Sequence, residues 1–169
     1  MAAQPIIESI DERFNPIERA AWLGFLRSHS ALLRRLDADL RKAHGISISA
    51  YEALIVLGRS EGGSLQMSDL ADRTLLTQSG ISRLVPRLER EGLVARQANP
   101  ADRRASLVAL TPAGERCLRE GAGTHFGGVR ARFLNRFTTD ELERLAEYWD
   151  RLALDPRDEN PREDDELPA

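Results

Sequence analysis

Gln78, Ser79, Ser82, Arg83 and Arg87 recur at helical spacing around Ile81 and Leu84. On a helix this spacing sets an amide, hydroxyls and guanidiniums against an apolar opposite side. These are the side-chain groups that hydrogen-bond base edges and phosphates, and the first turn of such a helix is the part that enters a major groove. Thr77 is the expected N-cap. The free N–H groups it leaves at the helix start suit phosphate, and Ser79 and Gly80 keep that backbone accessible. Further along, Arg96, Arg103 and Arg104 flank a turn, where arginine can enter a narrow minor groove with its negative potential. The chemistry these residues offer is non-covalent reading of double-stranded DNA. No P-loop, GxSxG, HExxH or dinucleotide fingerprint is present, so no catalytic residues and no cofactor are expected. A single cysteine, Cys117, precludes an intramolecular disulfide or a Cys-rich zinc site, and His29, His44 and His125 lack metal-ligand spacing.

The elements that must position these groups are mostly helical. Pro16 suits a first helical turn, and a long helix is expected from there to about Ala43. Its stripe is Phe25, Leu32, Leu36 and Leu40, with Trp22, Leu26 and Leu33 beside it. His44-Gly45 ends it. Ser49 with Glu52 has the form of a capping box opening a short helix with Tyr51, Leu54, Ile55 and Leu57, and Gly62-Gly63 then breaks the chain. Met67 to Arg73 is a second short helix, and a tight connection through Thr74, Leu75 and Leu76 leads to the Thr77-capped helix, which Gly92 stops. Small Ala71 permits close approach of these two helices, with Leu70, Leu76, Ile81 and Leu84 turned inward to hold their angle. Residues 93–97 and 106–110 are expected as two strands joined by a turn over 99–104. Thr111-Pro112 starts another helix, expected to loosen near Gly121, Gly123, Gly127 and Gly128. Thr138 and Glu141 form a further capping box before Leu142, Leu145, Trp149 and Leu152. The fold class is therefore mainly α with a small β-hairpin wing, a winged helix-turn-helix between long N- and C-terminal helices.

The whole chain of 169 residues carries a net charge of −3, which at first argues against a nucleic-acid partner. Placement reverses that inference. Residues 155–169 hold seven acids against two arginines, a local charge of −5, so residues 1–154 carry +2. Residues 66–108 hold seven arginines against five acids. The acidic stretch is expected to be a disordered tail. Absence of any apolar run near the roughly 18 residues that a span requires argues against a membrane partner. The N-terminus has no export signal, which places the expected location in the cytoplasm.

Met67 to Thr74, Thr77 to Gly92, the segment Asn99-Pro100-Ala101-Asp102-Arg103-Arg104 and Leu110-Thr111-Pro112-Ala113-Gly114 together resemble the MarR (multiple antibiotic resistance regulator) family of winged helix-turn-helix repressors. The resemblance covers roughly residues 16–153, and its central part is the most specific. It implies a homodimer whose winged lobes meet successive major grooves of a pseudo-palindromic operator. Gln78, Ser79, Ser82 and Arg83 would then face bases and nearby phosphates, Arg87 the backbone, and Arg103 or Arg104 the minor groove. Asp102 would hold the wing turn, although a solvated turn residue is the plainer alternative. The resemblance further implies a small aromatic or phenolic effector that weakens DNA binding. The sequence departs from the family at Pro86, where a polar residue is usual. Proline there loses the bond to the Ser82 carbonyl and is expected to kink the helix at a cost of about 3 kcal/mol, so that Pro86→Asp should raise thermal stability.

Three further assignments follow with their alternatives. For an effector pocket the candidates are Trp22, Leu26 and His29, sharing a helix face, with Tyr51; the plainer reading makes Trp22 and Leu26 ordinary core residues and His29 a satisfied or exposed histidine. Phe126, Phe133, Leu145, Trp149 and Leu152, with Val129 and Phe137, exceed the apolar needs of a small winged domain, which points to a dimer interface rather than internal packing. Cys117 reads as a structural thiol, because peroxide-sensing members of the family place their cysteine in the first helix and none is there. Residues 1–15 are assigned to an extension, 16–153 to the domain and 154–169 to the tail. The DNA-binding lobe spans about 49–110, and the dimerisation helices about 16–44 and 112–153. The rivals are a fragment of an enzyme and a winged module for protein interaction or dimerisation that does not read DNA.

Overall fold

A computed structural model describes residues 13–74, 76–99 and 106–152. Leu75, the turn residues 100–105 with Asp102, Arg103 and Arg104, and the acidic stretch after Leu152 lie outside the described residues. Two compact units divide between Val129 and Arg130.

The first unit opens with α1 (Pro16–His44). Asn15 caps it by accepting hydrogen bonds from the N–H groups of Ile17 and Glu18, while the Glu18 carboxylate accepts from Asn15 N–H at 2.8 Å. This reciprocal box satisfies orphan donors that Pro16 alone would leave open. Only the C-terminal half of α1 is part of the core: Leu36 and Leu40 are buried, whereas Trp22, Phe25 and Leu26 are exposed. Gly45 stops the helix at φ +69°, a conformation glycine adopts without Cβ strain.

Helix α2 (Ile48–Arg59) is capped by Ser47, whose Oγ accepts from Ala50 N–H at 3.2 Å. The expected box at Ser49 and Glu52 does not form; a single serine cap, two residues earlier, takes its place. The reason lies in α1, where Asp37 reaches across to accept the Ile48 N–H at 2.9 Å and pairs with Arg41 at 2.6 Å. That long-range acceptor fixes the helix start earlier than the local pattern suggests. A one-turn 3-10 segment (Glu61–Gly63) leads to β1 (Ser64–Gln66), α3 (Met67–Asp72), α4 (Gln78–Arg90), β2 (Val94–Ala98) and β3 (Ser106–Leu110).

The sheet is antiparallel in the order β1-β3-β2. Leu65 opposes Val108, and Val94 opposes Leu110. The wing is thus part of a three-stranded sheet, and β1 is an element the sequence pattern does not announce. The core joins Leu40, Tyr51, Leu54, Leu57, Leu70, Ile81, Val85, Leu88 and Val108, each with no accessible surface.

Helix α5 (Pro112–Arg132) runs without interruption, which corrects the expected loosening at its glycines. A Cβ on Gly121 would come within 2.5 Å of the Tyr51 ring, so this glycine is there for close approach to the core. Tyr51 Oη donates to the Leu118 carbonyl of the same helix at 2.7 Å.

The second unit contains the end of α5, a 3-10 turn (Leu134–Arg136) and α6 (Thr139–Leu152). Thr138 and Glu141 form the expected box: the Thr138 N–H donates to Glu141 Oε2 at 2.8 Å, and Glu141 N–H donates to Thr138 Oγ1. Phe133 and Phe137 meet edge to face at 5.3 Å. Trp149 and Leu152 are exposed, and Leu142 and Leu145 half-buried.

Candidate nucleic-acid interface and effector cavity

The α3–α4 pair is held by Leu70, Ala71 and Ile81, all buried, with Leu76 and Leu84 half-buried beside them. Thr77 lies at the start of α4 with extended backbone, its Oγ1 accepting from Gly80 N–H at 3.2 Å and lying 3.0 Å from Ser79 Oγ. The opposite ends of the α4 side chains divide by face. Ile81, Val85 and Leu88 have no accessible surface, while Gln78, Ser79, Ser82, Arg83, Pro86 and Arg90 are exposed. The helix is one continuous element through Pro86.

At the far end of α4 a left-handed Gly92 (φ +71°) turns the chain toward the wing. Gly92 N–H donates to the Glu89 carbonyl and Leu93 N–H to the Leu88 carbonyl, both at 2.9 Å, closing the helix as a Schellman motif. Glu89 also pairs with Arg96 of β2 at 3.2 Å, tying the wing to the helix. Arg87 is half-buried and paired with Glu91 at 2.8 Å, whereas Arg83 has no ion pair among the described residues. The arrangement presents hydrogen-bonding groups and an exposed guanidinium on one helix face, with an open helix start and an arginine-bearing strand at its flank.

Away from that face, a cavity of about 220 Å³ is lined by Glu52, Ile55, Val56, Arg59, Arg73, Thr74, His125 and Phe126. A neighbouring one of about 250 Å³ shares Ile55, Arg59 and Phe126 and adds Tyr51, Leu118 and Arg119. His125 packs 5.2 Å from the Tyr51 ring and 4.9 Å from Phe126, and its Nδ1 is buried with no hydrogen-bond partner among the described residues. Burial pushes its pKa down, which keeps the ring neutral. Burial pushes the Glu52 carboxyl up, partly opposed by the charge of His29. Burial and the charges of Glu120 and Glu91 likewise push the Cys117 thiol up, the opposite of what a reactive thiolate needs. Among the described residues no group of three or more His, Cys, Asp or Glu is placed to hold a metal, and no helix is long and apolar enough to cross a membrane.

A sequence model of the MarR family matches residues 44–105. The structure is similar to AbsC, a MarR family transcriptional regulator from Streptomyces coelicolor, with a TM-score of 0.78 and 31% identity over 83% of this chain and 94% of that one. The chain belongs to the MarR family. A second MarR regulator from the same organism, Sco3205, solved in complex with DNA, gives a TM-score of 0.80 at 30% identity, covering 89% of this chain and 96% of that one. The HTH-type transcriptional repressor MdtR of Bacillus subtilis is 27% identical over 128 residues, 75% of this chain and 81% of the repressor. The protein is accordingly a DNA-binding transcriptional regulator with a winged-helix fold, and not an enzyme.

In this MarR regulator Thr77, Gln78, Ser79, Ser82 and Arg83 come together on one exposed surface, with Arg87 at its edge. Arg103, Arg104 and Asp102 fall outside the described residues. The four residues expected around an effector do not gather in the same way. Tyr51 is fully buried with its hydroxyl spent on Leu118, and Trp22, Leu26 and His29 are exposed on α1. Trp22 and Leu26 are therefore not core residues of the single chain, because the N-terminal half of α1 extends past the buried cluster. Neither cavity lining includes Trp22, Leu26 or His29. Of the residues expected at a dimer interface, Phe126, Trp149 and Leu152 are exposed, and Phe133 and Leu145 half-buried. Sequence reasoning missed Arg90, whose four-residue step from Pro86 and seven-residue step from Arg83 put it on the same exposed stripe of α4. It also missed Arg59, Arg73 and His125, which come together only through folding.

Proposed function

We propose that the protein is a homodimeric repressor whose winged lobes read a pseudo-palindromic operator and whose DNA binding is relieved by a small aromatic or phenolic anion. The observation that carries this reading is the capped α4, with a fully buried apolar stripe opposite an exposed one bearing Gln78, Ser79, Ser82 and Arg83. Arg87 and the wing arginines Arg103 and Arg104 serve the phosphate backbone and minor groove, and Asp102 holds the wing turn. The reading lobe spans about 49–110, flanked by dimerisation segments 16–44 and 112–153.

A second copy of the chain is supported by large apolar side chains left exposed on α1 (Ile17, Trp22, Phe25, Leu26) and, separately, on α6 (Trp149, Leu152). Such surface is what an obligate partner removes from water. For the effector, the cavity beside Arg59, Arg73 and Phe126 has the chemistry for a carboxylate or phenolate on an aromatic ring: two guanidiniums and an exposed aromatic face. Acting on a chromosomal operator places the working protein in the cytoplasm.

Selection of bound duplexes from a random DNA pool tests the reading. The expected outcome is an inverted repeat with half-sites about one helical turn, roughly 10 base pairs, apart. Recovery of no common sequence would favour a winged module used for protein interaction.

A further inference from the structure

Pro86 occupies the centre of the exposed face of α4. Ser79, Ser82, Arg83, Pro86 and Arg90 succeed one another at helical steps of three and four, and all are exposed, while Ile81, Val85 and Leu88 fill the buried side. A proline inside a helix gives up a backbone hydrogen bond and helix propensity. Here the ring makes no return to the core, because it points away from it. The flanking groups on the stripe are hydroxyls and guanidiniums, and Arg90 Nε folds back toward the Pro86 carbonyl at 3.4 Å. Pro86 is thus an apolar island within a hydrogen-bonding surface.

Seven residues separate Ser79 from Pro86, about 10 Å along the helix axis. That is about three base-pair steps, within reach of one major-groove half-site. Among the base-edge groups exposed in a major groove, the thymine C5-methyl is the one that neither donates nor accepts a hydrogen bond. From this juxtaposition we infer that Pro86 is a specificity-determining residue that contacts a thymine methyl in each operator half-site. The inference rests on α4 being the groove-reading helix, and it adds a base identity that the hydrogen-bonding residues of the stripe do not supply. Arg90, next on the same stripe, falls at the flanking phosphate.

The test uses the full chain and the operator recovered by selection. Each thymine in one half-site is replaced in turn by deoxyuridine, which removes the methyl and leaves every hydrogen-bonding group in place. Wild type is expected to lose about fourfold in affinity at one thymine, the value of one buried methyl group. Pro86→Ser is expected to bind the thymine and deoxyuridine duplexes equally, and Pro86→Val, which keeps an apolar side chain, to retain the discrimination. Indifference of wild type to every methyl, discrimination that survives in Pro86→Ser, or its loss in Pro86→Val would each overturn the inference while leaving DNA reading by α4 intact. Failure to recover any operator would instead overturn the proposed function, and this inference with it.

Discussion

Gly114 lies where the wing base meets α5, and Gly114→Ala probes whether that junction is as tight as its geometry indicates. A Cβ there would overlap the Leu93 carbonyl oxygen and stand 3.1 Å from Leu110 Cδ2. The carbonyl has little freedom to retreat. It accepts hydrogen bonds from Thr111 N–H at 3.1 Å and Thr111 Oγ1 at 3.2 Å, and Thr111 Oγ1 in turn accepts from Gly114 N–H at 3.1 Å. Either the first turn of α5 or the chain following α4 must move by about 1 Å, an overpacking that typically costs about 1–3 kcal/mol. Alanine returns up to about 1 kcal/mol in helix propensity. Because the overlap is with backbone, the upper part of the overpacking range, about 2–3 kcal/mol, applies, and the net loss of about 1–2 kcal/mol corresponds to a Tm lower by about 2–8 °C for a chain of this size. Gly123→Ala in the same helix is the matched control, because nothing lies within 4 Å of its Cβ position and the site is exposed. There the propensity gain stands alone, and Tm should rise by a few degrees. Far-UV circular dichroism melts of both variants decide the matter. A Gly114→Ala protein as stable as wild type, or both variants moving in the same direction, would refute the reasoning.

Pro86→Asp and Pro86→Ala should raise thermal stability by up to about 3 kcal/mol, since α4 is already one continuous helix through position 86 and only the missing bond and propensity are restored; an unchanged midpoint would show that the helix has absorbed the proline. His125, its pKa depressed by burial, should make stability fall as pH drops below about 6.5, because the unfolded chain then binds a proton that the folded chain resists. Glu52, with its pKa raised, acts in the opposite sense, so the difference between wild type and His125→Phe is the readout, and identical pH–stability curves would contradict the assignment. An aromatic carboxylate at 100 times its dissociation constant should stabilise the folded protein by about 2.7 kcal/mol. Arg59→Ala with Arg73→Ala should abolish that shift, and its persistence in the double variant would place the effector elsewhere.

What the sequence made legible was local. The caps at Thr77, at Thr111-Pro112 and at Thr138 with Glu141 each bond within three or four residues, so residue type and spacing suffice to find them. Features settled by distant partners were not legible. Ser64-Leu65-Gln66 is too short to show alternation and is a strand because Leu65 opposes Val108. Ser47 prevails over Ser49 as a cap because Asp37, in the preceding helix, accepts the Ile48 N–H. Gly121 resembles a helix breaker until the Tyr51 ring is seen beneath it. The same division governs the site. The α4 stripe is one helix and could be read in advance, whereas Arg59, Arg73 and His125 are separate in sequence and become a cavity only in the fold. Trp22 and Leu26 mislead for a related reason, since an apolar stripe does not reveal whether it is covered by its own chain or by another.

The central claim is that the exposed face of α4 reads DNA, and Arg83 is its most direct probe. Arg83 is exposed and has no ion pair among the described residues, so Arg83→Ala removes a DNA contact without opening the core. Fluorescence anisotropy with the selected operator should show affinity reduced by about thirtyfold, the middle of the roughly 1–3 kcal/mol range for one base contact, with an unchanged melting temperature. Operator affinity equal to that of wild type across the salt range would contradict the assignment of this helix to DNA.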